Sequence, residues 1–159
     1  MKYPILFVLL SMLAVAVAGC GSAPTASAAK PSPESTAEEP AAEPATVEDQ
    51  ASLVAALEAA SATVELGDSV EQAFFRPVGQ IIKVNGADVQ VFEYESPEAM
   101  ENEASQVAPD GGSIGTNMVM WMDTPHFYKA GRIIALYIGS DQVILSLLEN
   151  ALGSQFAGR

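Results

Sequence analysis

Proline decides where this chain can fold. Pro24, Pro31, Pro33, Pro40 and Pro44 recur through residues 21–48, and each fixes φ and removes a backbone donor. The rest of the stretch is mainly Ala, Ser, Thr and Glu with no aromatic residue, and Glu34, Glu38, Glu39 and Glu43 oppose a single Lys30. Such a composition buries too little apolar area to offset chain entropy, so a disordered tether over 20–48 is expected. A flexible chain of this length spans roughly 30 Å. Folding is confined to residues 49–159, which is 111 residues and suits one domain, not two.

Ahead of the tether lies a greasy leader. Met1-Lys2 gives a short positive start, and residues 5–18 are apolar apart from Ser11. These 14 residues match a signal-peptide core and fall short of the roughly 20 needed to span a bilayer. The run closes on Val17-Ala18-Gly19-Cys20. That tetrapeptide resembles the lipobox of bacterial lipoproteins, a branched aliphatic residue and two small ones before an acceptor cysteine. The resemblance covers the leader alone. It implies a signal peptide over 1–19, cleavage between Gly19 and Cys20, and a diacylglycerol on the Cys20 thiol with acylation of the new amino group. Two or three acyl chains anchor stably where one does not. The residue after the cysteine is Gly21, which allows sorting to an outer membrane where one exists. The localisation implied is a cell membrane or outer membrane, with the domain facing periplasm or exterior.

Charge and cysteine usage narrow the function classes. Seven Lys and Arg against 20 Asp and Glu give a net charge of −13, which argues against nucleic acid as a partner, since phosphate neutralisation needs clustered basic residues. Within 49–159 there are 15 acidic and 5 basic side chains, so the domain itself carries −10. The single Cys excludes an intrachain disulfide and a cysteine zinc cluster, and the single His excludes a His–His metal pair. No cofactor is indicated.

The pattern of the domain predicts an α+β fold: an antiparallel sheet of about five strands with three helices mostly on one face. Thr46 and Asp49 have capping-box spacing ahead of a helical stripe of Leu53, Val54 and Leu57. Residues 62–66 read as a strand stopped by Gly67-Asp68, and Phe74-Phe75 begin another extended stretch. Asn85-Gly86 between apolar runs is a strong hairpin signal, because both residues accept positive φ. Ser96-Pro97 marks a helix start running to about Val107 with little apolar surface. Residues 117–122 and 132–138 read as strands, and Asp141 opens the clearest helix, closed by Gly153. An offset of 45 residues aligns Gly86 with Gly131, Val89 with Ile134, Val91 with Leu136 and Phe92 with Tyr137, the pattern of a duplicated hairpin–helix unit.

Three groupings are candidate sites. Trp121, Asp123, His126 and Tyr128 bring indole, carboxylate, imidazole and phenol together before a turn, a composition suited to a binding surface. Met118, Met120 and Met122 alternate on one strand face with His126 four residues on, an alternative soft-metal set for copper(I); packing against a helix is the ordinary role of such methionines. His126 with Asp123 is the only close His–carboxylate pair, the centre of a hydrolase-like alternative. Glu93 and Glu95 share a strand face, Ser140 has the position of an N-cap, and the glycine-rich 110–115 loop lacks the Lys of a phosphate cradle. The reading these support is a lipid-anchored envelope protein, its domain a non-catalytic binding or envelope-support module. Its partners are the membrane, through the N-terminal lipid, and a protein or small molecule whose identity the sequence does not give.

Overall fold

The computed structural model describes residues 46–159. The leader, Gly19, Cys20 and the tether up to residue 45 lie outside the described residues. In chain order the elements are α1 (Gln50–Ala59), β1 (Val64–Val70), β2 (Gly79–Val84), β3 (Ala87–Glu93), α2 (Pro97–Ala104), β4 (Ser113–Ile114), β5 (Asn117–Met118), β6 (Pro125–Ala130), β7 (Ile133–Ile138), α3 (Gln142–Leu152) and β8 (Ala157–Gly158). Six strands form one antiparallel sheet in the order β1-β2-β3-β7-β6-β8, and β4 and β5 make a separate two-stranded ladder. The fold is α+β, as the pattern predicts.

The central strands carry apolar side chains on both faces, and each face has its own cover. Ile82, Val84, Val89, Val91, Ile133, Ala135 and Tyr137 pack against Leu53 and Leu57 of α1 and Ile144, Leu148 and Leu152 of α3. Phe92, Ile134, Leu136 and Phe127 point the other way, toward Met100 and Ala104 of α2, Phe75 and Ile114. Two helices share one face and the third lies opposite.

This opposition breaks the duplication. Each hairpin is followed by a helix, but the turn pairs Val84 with Ala87 in one case and Ala130 with Ile133 in the other, so the hairpins correspond at an offset of 46, not 45. At 45, Val89 and Ile134 would be equivalent, yet they belong to opposite faces. A half-turn about the sheet normal carries β2-β3 onto β6-β7 and keeps the faces in place. It would put α2 beside α3, whereas α2 covers the other side. The two units are not related by rotation.

Other local expectations shift for nameable reasons. The capping box is Asp49 with Ser52, not Thr46 with Asp49: Asp49 Oδ1 accepts from the Ser52 N–H at 2.9 Å, and Ser52 Oγ accepts from the Asp49 N–H at 2.9 Å. β1 does not stop at Gly67-Asp68 but passes through it with a shift of register between Leu66 and Ser69, a bulge held by the Gln80 amide donating to the Gly67 carbonyl. Phe74 and Phe75 sit in a turn instead of a strand, where Phe75 packs on Phe92 with ring centroids 4.8 Å apart. The helix opened by Ser96 ends at Ala104 and is less wet than its sequence implies, because Met100, Glu103 and Ala104 are all buried. Glu103 is held by Arg76, Nε to Oε1 at 3.0 Å, on the rim of the second core.

Asp49 links the cap to pH. The Ser52 backbone N–H it accepts, then the Ser52 hydroxyl and the charge of Arg132, hold its carboxyl below the ordinary 3.8. A depressed folded value makes the contribution to stability present above pH 3.8 and lost as pH falls through the lower folded value. Asp49→Asn keeps an acceptor oxygen without the charge. It is expected to flatten the acid limb of a stability-against-pH curve from urea unfolding and to change little else in its shape.

Candidate functional site

The edge formed by β6 and β8 organises the candidate residues. Alternation along β6 sends His126 and Tyr128 toward α3 and Phe127 toward the second core. β8 closes this edge, pairing Ala157 with Phe127 and Gly158 with His126, and the Arg159 N–H donates to the Pro125 carbonyl at 3.2 Å. One cleft opens on each side. The first, about 390 Å³, is lined by Asp110, Gly112, Val119, Trp121, Asp123, Thr124, Pro125 and Arg159. The second, about 360 Å³, is lined by His126, Tyr128, Gln142, Leu145, Ser146, Glu149, Ser154, Gln155 and again Arg159.

The first cleft has a rigid aromatic wall. Trp121 is half-buried, its Nε1–H donating to the Gly111 carbonyl at 2.7 Å, and its ring stands edge-on to Phe74 at 5.9 Å and to Phe127 at 5.8 Å. The two carboxylates are tied into their own loops: Asp110 Oδ1 accepts from the Gly112 N–H at 2.9 Å and Asp123 Oδ1 from the Thr124 N–H at 2.7 Å. Each keeps a second carboxylate oxygen outside that bond, and both residues line the cleft. An indole, two carboxylates and one guanidinium thus face a shared space.

The second cleft is built around a histidine that is a structural member of the fold. His126 is only 6 % exposed, its Nδ1–H donates to Gln155 Oε1 at 2.7 Å, and its ring stacks on Tyr137 with centroids 6.2 Å apart. Beside it, burial first and the Glu149 carboxylate second push the Tyr128 phenol above its ordinary value, so it presents a neutral hydroxyl.

The predicted binding surface is therefore divided. Trp121 and Asp123 belong to one cleft, His126 and Tyr128 to the other. The structure does not bring the His126–Asp123 dyad together: Asp123 lies at a bend before β6 and lines the first cleft, while the imidazole lines the second and partners Gln155. It equally corrects the Met–His metal set. Met118, Met120 and Met122 are 91 %, 97 % and 102 % exposed, pack against no helix and line neither cleft, while His126 is buried. Only residues 117 and 118 of the expected 117–122 strand enter a ladder, although the alternation persists, with Val119 and Trp121 turned inward.

Glu93 and Glu95 both line a third cleft, of about 330 Å³, with Arg76, Pro77, Tyr94 and Ala99. Glu93 ends β3, accepts from the Gln50 N–H at 3.1 Å at the start of α1, and meets Arg132 at 2.7 Å; Glu95 lies beyond the strand. Ser140 is exposed and Asp141 is the residue that caps α3, accepting from the Val143 N–H at 2.8 Å. Gln155 and Arg159 are among the cleft residues that no sequence grouping included, and Asp110 entered only as the first residue of the glycine-rich 110–115 loop. They reach β6 through loops distant in sequence, and only the glycines beside Asp110 hinted at a shaped loop there. Among the described residues no helix is long and apolar enough to cross a membrane. No known family model, curated protein or solved structure matches this chain.

Proposed function

We propose that the protein is a lipid-anchored component of a cell envelope whose domain is a non-catalytic binding module, and that the Trp121 cleft is its ligand site. The observation that carries the binding reading is the composition of this cleft: a fixed indole wall with Asp110 and Asp123 against the single cation of Arg159. Such a lining favours a ligand with a flat or apolar body and a cationic group. The domain charge of −10 adds a long-range field that draws cationic partners and repels anionic ones. The non-catalytic reading rests on the histidine. The only imidazole of the chain is committed to Gln155 and Tyr137, away from the nearest carboxylate in sequence. The anchoring reading rests on Val17-Ala18-Gly19-Cys20.

Because Trp121 is the sole tryptophan of the chain, its emission reports on this cleft. A Lys-rich peptide is expected to shift that emission saturably, a Glu-rich peptide of the same length is not, and Asp110→Asn with Asp123→Asn is expected to weaken the response about 10-fold. Equal responses to both peptides would refute the cleft assignment. Mass spectrometry of the N-terminal peptide from envelope-associated protein is expected to show acylated Cys20, and Cys20→Ser is expected to release the chain from membranes. An unmodified, uncleaved N-terminus would refute the anchor while leaving the cleft untouched.

A further inference from the structure

We propose that Met118, Met120 and Met122 form a three-thioether site for a soft monovalent cation, copper(I) or its analogue silver(I), without His126. The inference is independent of the Trp121 cleft and begins from an anomaly. The three most exposed large apolar side chains among the described residues stand in one row, Met118, Met120 and Met122 at 91 %, 97 % and 102 % exposure, and none of the three belongs to either core. Packing does not account for them.

Their backbone is nevertheless held. Val119 and Trp121, the intervening residues, pack inward on the second core, and the Trp121 indole is tied to Gly111 at 2.7 Å. Met118, Met120 and Met122 alternate with this inward pair on the exposed side, from the end of β5 to the bend at Met122. Alternate residues of a chain stand at most about 7 Å apart, the fully extended limit. A methionine side chain has three rotatable carbon–carbon and carbon–sulfur bonds and reaches several ångströms, so the outer two thioethers can lean toward the middle one and meet a single ion. The sulfur atoms start in water and lose no packing by turning inward.

The donor set selects the ion. Thioethers are neutral and soft, which suits copper(I) and silver(I) and leaves zinc, magnesium and calcium poorly served. Among the described residues no group of three or more His, Cys, Asp and Glu side chains is placed to hold a metal, so a harder site does not compete. Asp123, exposed and adjacent to Met122, adds a negative charge beside the trio, within a domain of net charge −10. The imidazole cannot complete the set from its buried place against Gln155.

The test uses the full chain with Cys20→Ser, so that a free thiol cannot take the ion, and methyl-labelled methionine. Silver(I) titration followed by methyl NMR is expected to move three of the six methionine signals and to saturate at about one ion per chain. Met118→Leu, Met120→Leu and Met122→Leu together keep the apolar bulk and remove the sulfur. They are expected to abolish saturable uptake and leave the thermal unfolding midpoint unchanged, since the side chains are exposed. Copper(I) under anaerobic competition with a chromophoric chelator is expected to follow silver(I). Absence of saturable uptake, uptake that survives the triple leucine variant, or a response centred on Met100 or His126 would each overturn the proposal.

Discussion

Phe92→Ala is expected to cost about 3–5 kcal/mol of folding stability, at the upper end for a single buried side chain. Phe92 is fully buried, pairs with Ile134 across the β3–β7 junction at the middle of the sheet, and meets Phe75 at 4.8 Å between ring centroids. Its bed explains why the cavity would not close. Gly79 lies against the ring, and a Cβ there would come within 2.6 Å of Phe92 Cε1. The glycine makes room for the phenyl group and has no side chain to move into the void when that group is removed. Small domains hold only about 5–15 kcal/mol in total, so the loss should lower Tm by at least about 12 °C. Urea unfolding followed by Trp121 emission measures it, because the indole belongs to the same cluster. A loss below about 1 kcal/mol would mean that the neighbours relax into the space and that the junction is not the rigid centre of the fold.

The parts of this fold that were legible in the sequence are those decided within four or five residues. Asn85-Gly86 makes a two-residue turn with φ of 50° and 86°, Ser96 caps α2 by accepting from the Ala99 N–H at 3.2 Å, and Asp141 and Gly153 bound α3. Local chemistry sets each of these and nothing distant competes. The failures come where tertiary pairing overrides a local stop. β1 runs through Gly67-Asp68 because β2 offers a ladder on the far side of the bulge, and β8 exists only because β6 has an unpaired edge.

The site follows the same division. The period of two that separates the methionines from Val119 and Trp121 is visible in the sequence, but both sets are apolar, and which side meets water depends on the core beneath. Asp123 and His126 are three residues apart in the chain, but Asp123 sits at the bend that precedes β6 and His126 within the strand, so nearness in sequence does not become a dyad. Asp110 and Arg159 reach Trp121 through loop contacts, such as the Gly158 N–H donating to the Pro109 carbonyl at 3.0 Å, which no periodicity announces.

Two glycines in hairpin turns separate a backbone requirement from a packing requirement. Gly86 and Gly131 both have positive φ, 86° and 51°. At Gly86 a Cβ would meet nothing within 4 Å, so Gly86→Ala is expected to cost only the left-handed conformation, about 1 kcal/mol. At Gly131 a Cβ would lie 2.3 Å from the Cα and carbonyl oxygen of Glu48, a backbone that cannot step aside without leaving its partners. Those partners are specific: the Arg132 N–H donates to the Glu48 carbonyl at 2.8 Å, and the Arg132 guanidinium meets Glu93 at 2.7 Å and Asp49 at 3.5 Å. Displacing this segment also pulls Val47, 4 % exposed, from the core and loosens the cap of α1. Conformation, hydrogen bond and apolar burial together amount to about 3 kcal/mol or more for Gly131→Ala. Faster hydrogen exchange at the Arg132 amide should accompany the loss in that variant and not in Gly86→Ala. Equal destabilisation by the two substitutions would mean that residues 47–49 contribute nothing to the domain. A difference of about 2 kcal/mol or more would place the mechanical start of the fold at Val47. Under the anchored reading, that is where any pull transmitted along the tether meets the domain, and the clamp on Gly131 and Arg132 is what resists it.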